Sequence, residues 1–239
     1  MSSKVIVMGD IHGNWSALNN LITKEKPATI IQCGDFGYWP NMDGARLQPN
    51  DKNAWSQSGM KLGDTKLYWL DGNHEDHWAL KKDTHVPGKN GISARSKFIE
   101  THKRVYHMRR GAHGRLPNGD NALYMGGALS IDRHLRTFGV DWFPEETISN
   151  EDLEIALSGP APDIVFSHTC PSEFLPFVMP DTKIERDLSC EALSVILREF
   201  RPQRWYFAHW HKYATGTYEN CKWTCLNTLG EPNGWEYLY

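Results

Sequence analysis

Short apolar runs alternate with amphipathic segments through the first third of the chain. Lys4–Met8 is a β-branched run ending at Gly9-Asp10, and Thr29–Cys33 is a second ending at Gly34-Asp35. Lys66–Leu70 is a third, ending at Asp71-Gly72. Each reads as a short buried strand closed by a turn. Between the first two, Asn14–Lys26 places Trp15, Leu18, Leu21 and Ile22 at helical spacing, with Asn14 suited to cap the helix. A loop carrying Pro40, Asn41, Gly44 and Pro49 follows the second run, and helical signal around Ala54–Leu62 precedes the third. The βαβαβ order predicts a parallel sheet with crossover helices.

The middle of the chain is richer in Lys, Arg, His and Gly. Strands are expected at Val105–Met108 and Ala122–Met125, joined by a Gly/Pro/Asn loop, and a helix at Ile148–Leu157. Asp163–Ser167 and Arg204–Ala208 read as strands around a helix at Asp187–Phe200, and the tail Ala214–Tyr239 as β-rich and turn-punctuated. No repeat or linker divides the 239 residues, so one domain of two packed sheets flanked by helices is expected.

Composition narrows the function classes. The chain is 40% hydrophobic and 23% charged, ordinary values for a globular protein. No apolar run approaches the length of a bilayer span, and the N-terminus enters a strand at once without a signal-peptide apolar region. A net charge of −3 gives no general attraction for nucleic acid. The cysteines, 5 in number, read as free thiols in a reducing compartment, and the location expected is cytoplasmic.

Polar clusters stand at the ends of the predicted strands: Asp10-Ile11-His12-Gly13, Gly34-Asp35, Gly72-Asn73-His74-Glu75, Ser167-His168 and Ala208-His209-Trp210-His211. Ligands of open α/β sheets bind at the carboxyl ends of strands, so these clusters should converge. Any one of them alone is an ordinary turn or a packed histidine; their joint placement carries the signal. Asp, His and Asn together suit divalent ions of intermediate hardness, and the absence of Cys argues against a structural zinc site. His209 and His211 would share a face on a strand, or reach neighbouring ions from a loop. One carboxylate such as Asp35 can bridge two cations. The chemistry that fits is two-metal hydrolysis, in which the ions polarise a phosphoryl group and activate water.

These blocks resemble those of the calcineurin-like metallophosphoesterases, over residues 9–211. The resemblance implies a four-layer α/β/β/α sandwich and a dinuclear centre. By it, Asp10, His12 and His211 hold one metal; Asn73, His168 and His209 hold the other; Asp35 bridges. His74 faces the substrate as general acid or electrostatic stabiliser. Manganese is the metal expected first, with Fe, Zn, Ni and Co as alternatives. The last block has Ala208 where the family usually has Gly. Gly126–Arg133 and Trp142–Glu146 also resemble members of this superfamily common in bacteriophage and bacterial genomes.

One departure bears on substrate. The Ser/Thr protein phosphatases and diadenosine tetraphosphatases of this superfamily carry Asp-Arg-Gly shortly after the second block and an Arg two residues before the third-block Asn, which clamp a terminal phosphate. Here those places hold Phe36-Gly37-Tyr38-Trp39-Pro40 and Asp71. A diester carries less charge and needs such a clamp less. The expectation is therefore a small nucleotide-type phosphodiester, cyclic or aryl, ahead of a monoester, with a nuclease third and a non-catalytic scaffold last. A stable nucleic-acid complex is not expected. Tyr38 and Trp39 are candidates for a base-stacking wall, against simple loop packing. Arg109 and Arg110, and similarly Arg133, His134 and Arg136, are candidate phosphate contacts, against a solvated basic face. Asp71, Glu75 and Asp76 flank His74 as candidates to orient it.

Overall fold

The computed structural model describes residues 4–40, 59–85, 97–181 and 186–239. Strand β1 (Val5–Met8), helix α1 (Trp15–Glu25), β2 (Thr29–Gln32) and β3 (Lys66–Trp69) follow the expected order. Asn14 caps α1 by accepting from the Ala17 amide at 3.1 Å. The helix expected around Ala54–Leu62 falls largely outside the described residues. Helix α2 (His77–His85) and strands β4 (Phe98–His102), β5 (Val105–Met108), β6 (Ala112–Arg115) and β7 (Asn121–Met125) come next. Then follow α3 (Asn150–Leu157), β8 (Ile164–Ser167), α4 (Leu175–Val178), α5 (Leu188–Phe200) and β9 (Arg204–Phe207). The tail forms β10 (Ala214–Tyr218), β11 (Cys221–Cys225) and β12 (Trp235–Tyr237).

The strands make two mixed six-stranded sheets, ordered β12-β1-β2-β3-β5-β4 and β10-β11-β9-β8-β7-β6. In each, the central strands run parallel and both edges are antiparallel. The middle segment differs from the expectation. Val105–Met108 and Ala122–Met125 lie in different sheets, and the Gly/Pro/Asn loop closes a hairpin between β6 and β7.

The period of two along the strands builds the layers. Ile6 and Met8 of β1 pack under α1 with Leu18, Leu21 and Trp69. Val5 and Val7 face the other way, into a core shared with Ile164 and Phe166 of β8 and Tyr206 of β9. Val165, Trp205 and Phe207 point outward to Leu193, Ile196 and Leu197 of α5. Three apolar cores thus separate four layers, α/β/β/α. Strands covered on both faces need apolar residues at every position, which is why these runs do not alternate. Among the described residues no helix is long and apolar enough to cross a membrane.

Candidate metal centre

The five polar clusters follow the carboxyl ends of β1, β2, β3, β8 and β9. The backbone locks them together. The amides of Ile11 and His12 both donate to the Asp35 carbonyl, at 3.0 and 2.8 Å, and the Gly13 amide donates to the Phe36 carbonyl at 3.0 Å. The buried Gln32 amide donates to the Gly9 carbonyl at 3.1 Å and accepts from the Gly34 amide at 3.2 Å. The loops turn sharply at the site: His12, Asp35, His209 and His211 have φ of 47°, 51°, 71° and 48°. Left-handed backbone at non-glycine residues is strained and tends to gather at functional sites. Gly72 has a different requirement. A Cβ there would run into the Asp35 carboxylate and the His168 ring.

Two groups of side chains meet at Asp35. Asp10, His12, Asp35 and His211 bring one ligand atom each within 4.8 Å of one another, and so do Asp35, His168 and His209. His12 Nε2 lies 3.1 Å from His211 Nε2, and His211 Nε2 lies 3.0 Å from Asp10 Oδ2. His168 Nε2 is 3.3 Å from Asp35 Oδ1 and 3.1 Å from Asn73 Oδ1. The donor set passes a chemical test for cations. His209 Nε2 is buried with no hydrogen-bond partner among the described residues, and the carboxylates of Asp10 and Asp35 are almost wholly buried. Buried ligand atoms crowded without intervening donors fit a shared positive charge.

The surroundings set the protonation of these groups. His168 Nδ1 donates to the Cys33 carbonyl at 2.8 Å, which leaves Nε2 as the ligand atom. Burial by itself would lower His168, but the Asp35 and Asp10 carboxylates raise it to about 9 in the metal-free protein. Burial would raise Asp35; the imidazoles of His168, His74 and His12 hold it well below the usual carboxylate range. Burial, then the neighbouring His168, keeps His209 neutral by pushing it well below its ordinary value.

Outside the ligand groups, sequence expectations fare unevenly. Arg110 is not at the site. It is buried, donating from Nε and Nη2 to Asp71 Oδ2 at 2.8 and 2.6 Å and to the carbonyls of Glu145, Glu146 and Thr147. Tyr38 and Trp39 are corrected too, because both side chains turn inward. Tyr38 packs on Trp69 with ring centres 5.6 Å apart, and Trp39 packs near Phe143. Glu75 causes this: its buried carboxylate accepts from the amides of Phe36, Gly37 and Tyr38, folding that loop against the core. Asp76 Oδ1 accepts from the Ala79 amide at the start of α2. Arg109 is half-buried. Arg136 does reach His74: its Nη2 lies 2.5 Å from His74 Nε2.

One contact had no foreseen role. Asn73 Nδ2 donates to Ser130 Oγ at 3.2 Å, and Ser130 donates to the buried Glu146 from N and Oγ at 2.6 and 2.7 Å. Trp142 Nε1 also donates to Glu146, at 3.1 Å. The only sequence signal was that these residues lie in the two middle segments, Gly126–Arg133 and Trp142–Glu146.

The model of the calcineurin-like phosphoesterases matches residues 3–213. The chain belongs to the calcineurin-like phosphoesterase family. Membership supports metal-dependent phosphoester hydrolysis, and the clusters around Asp35 are where this phosphoesterase could hold its metal. A search of curated proteins gave no significant match. One crystal structure is similar with a TM-score of 0.55 at 13% identity, covering 97% of this chain and 93% of that one. The protein TT1561 of Thermus thermophilus is similar with a TM-score of 0.52 at 11% identity, covering 97% and 92%. At these identities the two structures show a shared phosphoesterase fold and nothing finer.

Proposed function

We propose that this phosphoesterase hydrolyses phosphodiesters, of a small nucleotide-type such as a cyclic or aryl diester. The observation that carries the reading is Asp71. It stands where the Ser/Thr protein phosphatases and diadenosine tetraphosphatases of the superfamily carry a clamping arginine, and it is buried, paired with Arg110 and with His107 at 3.1 Å. The other clamp position lies in the Phe36–Trp39 loop that Glu75 holds inward. A phosphoryl group bearing two negative charges would be less fully neutralised here than one bearing a single charge.

In this reading Asp10, His12 and His211 hold one ion, Asn73, His168 and His209 the other, and Asp35 both, with manganese the metal we expect. Divalent ions bound there supply Lewis-acid stabilisation of the phosphoryl group and make water a better nucleophile. His74 assists the leaving oxygen. A guanidinium only donates, so His74 Nε2 accepts in its contact with Arg136. His74 can carry a proton at Nε2 once that guanidinium has turned to another acceptor. The partner is a small substrate, neither a membrane nor a stably bound nucleic acid. Free, buried cysteines support a cytoplasmic location.

The test is kcat/KM for bis(p-nitrophenyl) phosphate against p-nitrophenyl phosphate on metal-stripped protein reloaded with Mn, Fe, Zn, Ni or Co, with single-stranded DNA and RNA as further substrates. A higher value for the diester supports the proposal. A clear monoester preference replaces it with a phosphomonoesterase, and preferred cleavage of the polymers with a nuclease.

A further inference from the structure

Two arginines near the centre differ in how fully their donors are used. Arg110 satisfies a carboxylate and several backbone carbonyls from all three nitrogens, as a structural guanidinium should. Arg136 is equally enclosed, its side chain only 3% exposed, yet its donors are poorly matched. Its carboxylate partner is Asp132, itself 44% exposed, at 2.9 Å. Nη1 reaches the Asp141 carbonyl at a long 3.5 Å, and Nη2 meets Nε2 of His74, which is not an anion. Buried Nε has no acceptor among the described residues. Leaving such donors short of acceptors is costly, and an anion would relieve it.

The segment that carries Arg136 is firmly seated. The amides of Val140, Asp141 and Trp142 all donate to the Thr137 carbonyl, and the Gly139 amide donates to the Trp142 carbonyl at 2.9 Å. Gly139, at φ 73°, sits so close to the Trp78 ring that a Cβ there would need the ring to move. Phe138 meets Trp78 edge-on with ring centres 5.9 Å apart. These two aromatic side chains remain 60% and 40% exposed. They are a few residues along the chain from Arg136 and His74 respectively, the pair that joins the two segments. The exposed aromatic edge near His74 is thus made by Trp78 of α2 and Phe138, not by Tyr38 and Trp39.

We infer that residues 130–142, seated on Trp78, form the ester-recognition ledge of this site: Arg136 binds a phosphoryl oxygen beside His74, and the Trp78–Phe138 edge holds an aromatic substituent of the same ester, of nucleobase type. This rests on the phosphoester reading and supplies what the absent clamps do not, a single guanidinium suited to a singly charged phosphoryl group.

The experiment is calorimetric binding of inorganic phosphate and of adenosine 5′-monophosphate to the manganese-loaded protein, with metal content measured on every sample. Arg136→Met is expected to weaken both ligands by about tenfold or more, the loss of a charge-assisted hydrogen bond. Arg136→Lys, which keeps the charge, is expected to fall between wild type and Arg136→Met, and it carries the test if the methionine variant does not fold. Phe138→Ala, at an exposed position, is expected to leave phosphate within about twofold and weaken the nucleotide by about fivefold or more, the low end of base–aromatic stacking. Unchanged phosphate affinity in the arginine variants at wild-type metal content would overturn the ledge. So would equal effects of Phe138→Ala on both ligands. Inorganic phosphate has no ester to hydrolyse, so a monoester preference in the kinetic comparison would remove the diester reading and leave the phosphate results standing.

Discussion

The side-chain amide of Asn73 donates from Nδ2 to Ser130 Oγ at 3.2 Å, which turns its oxygen, Oδ1, toward His168 Nε2 at 3.1 Å. An asparagine amide can present either end, and this hydrogen bond decides which. Ser130 is fixed in turn by Glu146. Groups that orient a metal ligand typically matter by about 10–100-fold in metal affinity. Ser130→Ala is expected to reduce metal affinity at the Asn73 side by about that factor while the protein stays folded. Metal titration of the stripped variant measures it. Wild-type affinity would show that Asn73 needs no orienting partner.

Arg110 and Asp71 form a buried ion pair that also tethers residues 145–147. Burial would raise Asp71, but Arg110 and His107 hold it far below the usual carboxylate range, so it is charged in the folded protein. Removing one partner of such a pair strands a buried charge, at a cost of about 3–5 kcal/mol. Arg110→Met should lose stability on that scale in urea unfolding of the metal-free protein, and Asp71→Asn added to it should restore part of the loss. A loss under about 1 kcal/mol would show that the pair is solvated.

The metal-free protein should lose stability as pH rises. His168 is raised to about 9 in the fold, from about 6.5 when unfolded. A raised folded value stabilises fully below the unfolded pKa and is lost as pH rises through the folded one. The window is therefore about pH 6.5 to 9, with an upper bound of about 3 kcal/mol. Divalent ions replace the proton as countercharge for Asp35 and Asp10. The rise in melting temperature caused by saturating Mn²⁺ should thus be larger at pH 9 than at pH 6.5. A metal-free melting temperature that stays flat or climbs across this window would contradict the assignment.

His74 stands outside both ligand groups, and its backbone amide donates to Asp35 Oδ1 at 2.8 Å. His74→Ala should therefore retain both metals. General acid assistance is typically worth about 10²–10⁴-fold, and it matters most for a basic leaving group. The variant should lose far more activity on a cyclic nucleotide, which expels a ribose hydroxyl, than on a nitrophenyl diester. Equal losses would point to charge stabilisation alone, and loss of a metal would make His74 a ligand.

The chain's own sequence determined the architecture and the meeting point. The centres of Lys4–Met8, Thr29–Cys33 and Asp163–Ser167 are consecutive apolar residues because helices or the second sheet cover both faces. Their polar ends must then gather along one edge of the sheets. Strands β4 and β6 were less legible because they are short edge strands with part-exposed, polar residues, and α2 because its sequence, His-Trp-Ala-Leu-Lys-Lys-Asp-Thr-His, has little periodicity.

What only the tertiary structure decided is which charge meets which. Arg110 and Arg136 look alike along the chain, yet one is locked under Asp71, 39 residues away, and the other reaches His74 across 62. Tyr38 and Trp39 face the core because Glu75, 37 residues from Tyr38, accepts from their loop, while Phe138 and Trp78 are left at the rim. Local pattern encodes backbone period and turn chemistry, which act over a few residues. Hydrogen bonds and ion pairs between distant segments depend on strand order and loop seating, and these are fixed only when the cores have packed.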